Sequence, residues 1–304
     1  RMHVLSLCSD DASESEPHEL VLHPWNHAPR ELPTADFDAL LHRYRRSMQA
    51  QHACIVDALS GERLNVLEQC VPIEMNLGQD ARLSRLGDAR DVQGLAVWLQ
   101  DSYAARVQGN ARNNAAIALT GPPAAGKTCL MSQLVIRTLQ LSGMLVPILV
   151  KVQQLQRRLR DEGALFARAW NWIDAFLCCV HGGDSEIYAM LRQAMMTRRA
   201  LLLIDGIDEG GELREAIERH ITEVLAPQGH VMLVTSRPNG LREGRFEKHF
   251  YRVALRGLTH EQQEEVVRMR VDDSKAAGLL EYLESKVPTD TESGERVTSN
   301  PLID

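Results

Sequence analysis

The chain has 304 residues, 44% hydrophobic and 25% charged, with a formal net charge of −7, the balance of a globular protein long enough to bury a core without disulfide or metal staples. That acidic balance argues against whole-protein attraction to nucleic acid or an anionic membrane, and no run reaches the roughly 18 apolar residues that a membrane helix needs. Six cysteines, at positions 8, 54, 70, 129, 178 and 179, form no CxxC pair and no zinc-spaced cluster with the eleven histidines, so a reducing, cytoplasmic setting is expected.

Taken in order, residues 9–33 hold Ser9, Asp10, Asp11, Ser13, Glu14, Ser15 and Glu16 with prolines at 17, 24 and 29. That mix buries little and predicts a flexible acidic segment. From Phe37 to about Leu59 the apolar residues Phe37, Leu40, Leu41, Tyr44 and Met48 recur with helical period, predicting an amphipathic helix with one face against the rest of the protein. A short strand around Val66–Met75 and a helix at Val92–Val107 then lead into the main domain.

The pattern changes at Ala115–Leu119, a short apolar run ending at a glycine-rich loop. A helix over Cys129–Leu141, a strand over Leu145–Val152, and helices over Gln153–Arg160, Leu165–Val180 and Ile187–Arg198 follow. Ala200–Ile204 is a continuous apolar run ending in Asp205. Leu213–Leu225 reads as helix, with His230–Thr235 and Tyr251–Leu255 as further strands. Runs apolar on both faces and alternating with helices are what a buried parallel sheet requires, so the predicted fold is α/β, with helices on each side of a parallel sheet. After Gly257 only helices are predicted. Thr259 and Gln262 form a capping box opening a helix to about Val271, and a second spans Lys275–Glu284. The organisation expected is a segment plus helix over 1–60, a linking strand and helix over 61–110, the α/β core over 111–258, and a helical region over 259–304. A chain starting on Arg1 and stopping on Asp304 is expected to be a fragment.

The loop Gly121-Pro122-Pro123-Ala124-Ala125-Gly126-Lys127-Thr128 matches G-x-x-x-x-G-K-[ST] in full and lies between a predicted strand and a predicted helix. Its glycines let the backbone amides curl toward phosphate oxygens, and the following helix adds its N-terminal donors and dipole. Lys127 can reach β- and γ-phosphates and the Thr128 hydroxyl can ligate Mg2+. Together with Cys129 in the first helical turn, these residues are the expected nucleotide contacts. Asp205, at the end of an apolar strand, is the acid that a magnesium-bound phosphate needs. Asp208 and Glu209 follow it in Asp205-Gly206-Ile207-Asp208-Glu209. Arg237, after the strand ending Val234-Thr235-Ser236, is placed either to sense a γ-phosphate with its planar fork or to make a surface ion pair. The cluster Arg157-Arg158-Leu159-Arg160 reads as a phosphate-gripping lid or as a solvated helix face.

The set Gly121–Thr128, Leu202–Glu209 and Thr235-Ser236-Arg237-Pro238, in this order and spacing, resembles the NACHT family of STAND-class signal-transduction NTPases, which includes the NLR proteins of innate immunity. Leu255-Arg256-Gly257-Leu258-Thr259, Asn300-Pro301-Leu302 and Cys70-Val71-Pro72-Ile73 resemble further NACHT segments, so the likeness covers about residues 65–304. It implies a P-loop NTPase three-layer α/β/α sandwich that binds ATP or ADP with Mg2+. Lys127 and Thr128 would hold phosphate and metal, Asp205 the metal, Arg237 the γ-phosphate and Pro301 the base, while Asp208 or Glu209 would orient the attacking water. It also implies a nucleotide-gated switch that self-associates, with slow hydrolysis because Gly206 rather than a glutamate follows Asp205. The winged-helix and sensor domains of such proteins would lie outside this chain. The competing readings are an AAA+-like remodelling ATPase and a P-loop kinase. Neither nucleic-acid nor membrane binding is indicated.

Overall fold

The computed structural model describes residues 32–56, 61–70, 75–76, 91–109, 115–123, 125–141, 143–242, 244–270 and 273–286. Most of the acidic segment, Ala124 of the glycine-rich loop and the Asn300-Pro301-Leu302 segment lie outside the described residues.

Five strands carry the core: β4 (Ala116–Thr120), β5 (Val146–Lys151), β6 (Ala200–Asp205), β7 (Val231–Ser236) and β8 (Tyr251–Leu255). They lie parallel in the order β5-β6-β7-β4-β8, and the two-residue β3 (Met75–Asn76) adds antiparallel to the outer side of β8. Every residue of β6 and β7 is buried. A strand apolar on both faces is stable only where helices cover both faces, and this sheet is flanked by helices as the sequence predicts. The chain is thus a three-layer α/β/α fold.

The flanking elements are α1 (Thr34–His52), α2 (Val92–Val107), α3 (Lys127–Gln140), α4 (Val152–Asp161), α5 (Gly163–Arg168), α6 (Trp172–His181), α7 (Glu186–Met196) and α8 (Arg214–His220), with α9 (His260–Arg270) and α10 (Asp273–Lys286) after the last strand. The predicted apolar face of α1, Phe37, Leu40, Leu41, Tyr44 and Met48, is buried in the same hydrophobic cluster as the sheet, and α1 packs against α3 and α7. The Tyr44 hydroxyl donates to the Pro147 carbonyl at 2.8 Å, and the Arg199 guanidinium sits 4.7 Å over the Phe37 ring. Pro147 has no N–H and its carbonyl is taken by Tyr44, so the outer edge of β5 is blunted against pairing with another strand.

The α2 helix occupies the predicted span, with Asp91 at its N-cap accepting from Gly94 N–H at 2.7 Å. The Thr259–Gln262 capping box is also present, with Thr259 N–H donating to Gln262 Oε1 at 2.9 Å and Gln262 N–H to Thr259 Oγ1 at 3.3 Å.

Four expectations need correction. The first helix ends at His52 rather than near Leu59, because β1 (Cys54–Val56) pairs antiparallel with β2 (Arg63–Asn65). The strand expected over Val66–Met75 is instead β2 and β3 on either side of a turn. That turn begins where Asn65 Oδ1 accepts from Leu67 N–H at 3.0 Å, an Asx turn that ends the extended run. The single helix expected over Leu165–Val180 is α5 and α6, broken at Ala169–Asn171, where Asn171 Oδ1 caps α6 by accepting from Asp174 N–H at 2.9 Å. Trp170 and Trp172 therefore do not share a helix; Trp170 lies between two helices, and Trp172 stacks on His220 with 4.4 Å between ring centres. Finally, Leu213–Leu225 is composite, with a 3₁₀ segment over Ile207–Leu213, then α8, then a π-turn over Ile221–Leu225.

Candidate functional site

Because β4, β6 and β7 are parallel and adjacent in the sheet, the segments that follow them emerge together at one end. This is where open α/β sheets place their ligands. Gly121 N–H donates to the Ser236 carbonyl at 3.2 Å, tying the start of the glycine-rich loop to the end of β7. The loop turns into α3 at Gly126, whose φ of +77° belongs to the left-handed region that a side chain resists. As N-cap, Gly126 brings no side-chain acceptor to the first turn of α3. That helix end keeps the donor-rich, positive character suited to an anion.

Lys127 Nζ donates to the carbonyls of Gly121 at 2.7 Å and Pro122 at 2.6 Å, so the ammonium is folded back over its own loop. Burial lowers its pKa, opposed by Asp208 and other nearby carboxylates. Thr128 Oγ1 donates to Asp205 Oδ2 at 3.1 Å. The other oxygen of Asp205 accepts from Thr235 Oγ1 at 2.6 Å, and that same hydroxyl accepts from Gly206 N–H at 2.9 Å. Asp205 is thus a buried carboxylate gripped on both oxygens, with its direction set by hydroxyls on α3 and β7.

Asp208 stands at the start of the 3₁₀ segment after β6. Its Oδ2 lies 2.9 Å from Arg237 Nε and its Oδ1 accepts from the Arg237 backbone N–H at 3.1 Å. Of the two uses foreseen for Arg237, an ion pair is what the structure contains. Glu209 N–H donates to the Gly206 carbonyl at 2.9 Å, so the acid lies just past the turn. Burial raises the Glu209 pKa, and the neighbouring Asp205 and Asp208 raise it further. Pro122 and Pro123 are exposed, Ala125 is buried, and Cys129 is half-buried in the first turn of α3. Ala124 and Pro301 lie outside the described residues. Arg157, Arg158 and Arg160 are exposed on α4, with Arg158 paired to Glu162 at 2.8 Å, which makes them a solvated helix face.

Sequence reading missed Thr235 as a site residue. Its signal was a hydroxyl ending an otherwise apolar strand, a position where a buried polar group needs partners. The donor set fits the groups that the motif implies. A threonine hydroxyl and a fixed carboxylate 3.1 Å apart are hard oxygen ligands suited to Mg2+, and Lys127 with the α3 N-terminus suits phosphate.

Compared with known families, residues 115–274 match the NACHT domain, just over half of the chain. No curated protein sequence matches. Similar solved structures include a signal transduction ATPase with numerous domains and a tetratricopeptide-repeat sensor from Pyrococcus horikoshii, at 15% identity and TM-score 0.35, covering 60% of this chain and 27% of that one. They also include a HORMA:CdnC:Trip13 complex from E. coli MS115-1, at 15% identity and TM-score 0.40, covering 72% of this chain and 76% of that one. A RuvB variant from Thermotoga maritima has 15% identity and TM-score 0.34, covering 63% of this chain and 56% of that one. The chain spans about a quarter of the length of the Pyrococcus protein. With the phosphate loop, the gripped acid and the post-β7 arginine at one end of a parallel sheet, and with the match over 115–274, the chain belongs to the NACHT family of nucleotide-binding P-loop NTPases.

Proposed function

We propose that this chain is a nucleotide-gated switch of the cytoplasm that binds ATP or ADP with Mg2+ at Gly121–Thr128, hydrolyses ATP slowly and self-associates in its ATP form. The observation that carries this reading is Asp205, held between the hydroxyls of Thr128 and Thr235 at 3.1 and 2.6 Å. A carboxylate fixed in this way beside a threonine hydroxyl is pre-set for a divalent cation, and outer partners such as Thr235 tune such sites. Mg2+, when bound, supplies positive charge to the phosphate oxygens. Lys127 exchanges the Gly121 and Pro122 carbonyls for phosphate oxygens, which are stronger acceptors because they are charged.

The residue after Asp205 is glycine, so no carboxylate directly adjoins the metal-binding acid. The proton from an attacking water falls to Glu209, whose pKa is raised by burial and by the neighbouring Asp205 and Asp208, the direction that makes a carboxylate a stronger base. A base set back in this way supports slow turnover, which suits timing rather than mechanical work. Switching requires that the two nucleotides favour different states, and a contact from Arg237 to the γ-phosphate, which ADP lacks, would supply that difference. Pro301 on the base and the winged-helix partner belong to the same reading.

Sedimentation velocity of the purified chain with ADP or with a non-hydrolysable ATP analogue, alongside phosphate release over an hour, tests it. The switch reading expects a larger species only with the triphosphate, together with very slow release. Rapid multiple turnover would replace it with a remodelling ATPase, and phosphate transfer to an added acceptor would replace it with a kinase.

A further inference from the structure

We propose that Asp208 is a positioning residue that latches Arg237, and that a γ-phosphate works the switch by drawing Arg237 off this latch; the inference rests on the nucleotide-switch reading above. Both oxygens of Asp208 are committed to one partner, Oδ2 to Arg237 Nε at 2.9 Å and Oδ1 to the Arg237 backbone N–H at 3.1 Å. The two ends of the pair are unequal. The Asp208 side chain is only 13% exposed, whereas that of Arg237 is 57% exposed. One partner is anchored in the 3₁₀ segment after β6, and the side chain of the other is open to solvent.

The backbone fits the same account. The turn Pro238–Gly240 is seated against Asp208 so closely that a Cβ on Gly240 would fall 2.9 Å from Asp208 Cβ and would overlap Ser236 Oγ. Asp208 therefore holds both the side chain and the main chain of the segment leaving β7. An acid so engaged is not the proton acceptor for water, which leaves that role to Glu209.

Asp208, Arg237, Asp205 and Glu209 all lie near enough to act electrostatically on Lys127. The latch and the phosphate lysine thus belong to one charge cluster. A γ-phosphate beside Lys127 offers the planar guanidinium a more highly charged bidentate acceptor than a single carboxylate does. ADP offers none. Whatever strengthens the Asp208–Arg237 pair must therefore weaken ATP relative to ADP, by reciprocal linkage.

The test is the ratio of ATP to ADP affinity, measured by calorimetry with Mg2+ for the unsubstituted protein, Asp208→Asn, Arg237→Ala and the double variant. Asparagine keeps an oxygen for the Arg237 N–H and removes the charge, so Asp208→Asn is expected to raise the ratio about fivefold, the scale of a partly exposed ion pair. Arg237→Ala, a change at an exposed side chain, is expected to lower the ratio, since it removes the group that would bind the γ-phosphate. In that background Asp208→Asn is expected to change nothing, whereas a merely structural Asp208 would act alike in both. An unchanged ratio in Asp208→Asn, or a loss of hydrolysis with the ratio intact, would overturn the latch alone. Absence of nucleotide binding by the unsubstituted protein would overturn the switch reading and the latch with it.

Discussion

Thr235→Val removes one hydroxyl and little volume, yet it takes away two hydrogen bonds at the centre of the site. Thr235 is fully buried. Its hydroxyl accepts from Gly206 N–H at 2.9 Å and donates to Asp205 Oδ1 at 2.6 Å. Without it, the Gly206 N–H loses its acceptor, at about 1–3 kcal/mol for a buried donor, and a charge-assisted bond of about 1.5–3 kcal/mol is lost. The added methyl recovers part of this in apolar contact. The net expectation is a loss of about 3 kcal/mol, which lowers the melting temperature by roughly 5 °C for a protein of this size. Asp205, gripped then by Thr128 alone, is less well aimed, and the magnesium-dependent part of nucleotide affinity is expected to fall about tenfold or more, the usual cost of losing an outer-shell partner. Thr235→Ser, which keeps the hydroxyl, is expected to retain most of both properties. Differential scanning fluorimetry with and without Mg-ATP reads the two effects together. A Thr235→Val protein melting within about 1 °C of the unsubstituted one, with the same magnesium dependence, would refute the reasoning.

Glu209→Gln is expected to stop phosphate release while leaving ATP binding in place. In the unsubstituted protein the acid limb of the rate profile should lie above the ordinary glutamate range near about 4.3, because burial and the two aspartates raise the Glu209 pKa. Stability is expected to fall on acidification. Burial depresses His220 to about 4 and His230 to about 3, and both groups are near 6.5 when unfolded. The unfolded chain therefore binds the extra protons, stability is complete above about pH 6.5, and it drops as pH falls toward 4, by up to about 1.4 kcal/mol per pH unit for each histidine. Urea unfolding at pH 7, 6 and 5 measures this slope. His220→Phe, which keeps the ring stack on Trp172 but loses the acceptor for Trp172 N–H at 2.9 Å, is expected to be weaker at pH 7 by about 1 kcal/mol and to show a shallower slope. An unchanged slope would mean that His220 protonates without cost in the fold.

Much of the fold was legible because its signals are local. The all-buried runs of β6 and β7, the span of α2 and the Thr259–Gln262 box each declare themselves within a few residues. The phosphate loop does too. What escaped depends on partners distant in sequence or on single polar side chains. The end of α1 is decided by the pairing of Cys54–Val56 with Arg63–Asn65, which helical periodicity does not register. The break before α6 rests on the Asn171 cap, amid Arg168, Ala169 and Trp170, which give no glycine or proline signal. In the site, the residue types were readable but their pairings were not. Asp208 meets Arg237, and Asp205 meets Thr235, only because β6 and β7 are neighbours in the sheet. Strand order is a long-range property of packing that no short window of sequence contains.

The account stands most directly on nucleotide binding at Gly121–Thr128. Calorimetric titration of ATP and ADP into the purified protein, with Mg2+ and with chelator, and beside a Lys127→Ala variant, measures it. The account predicts saturable binding strengthened by Mg2+ and lost in Lys127→Ala, since Lys127 Nζ, which donates to the Gly121 and Pro122 carbonyls at 2.7 and 2.6 Å, is the group that would turn to the phosphates. Binding of equal strength in the folded Lys127→Ala protein, or no binding by the folded unsubstituted chain, would contradict it.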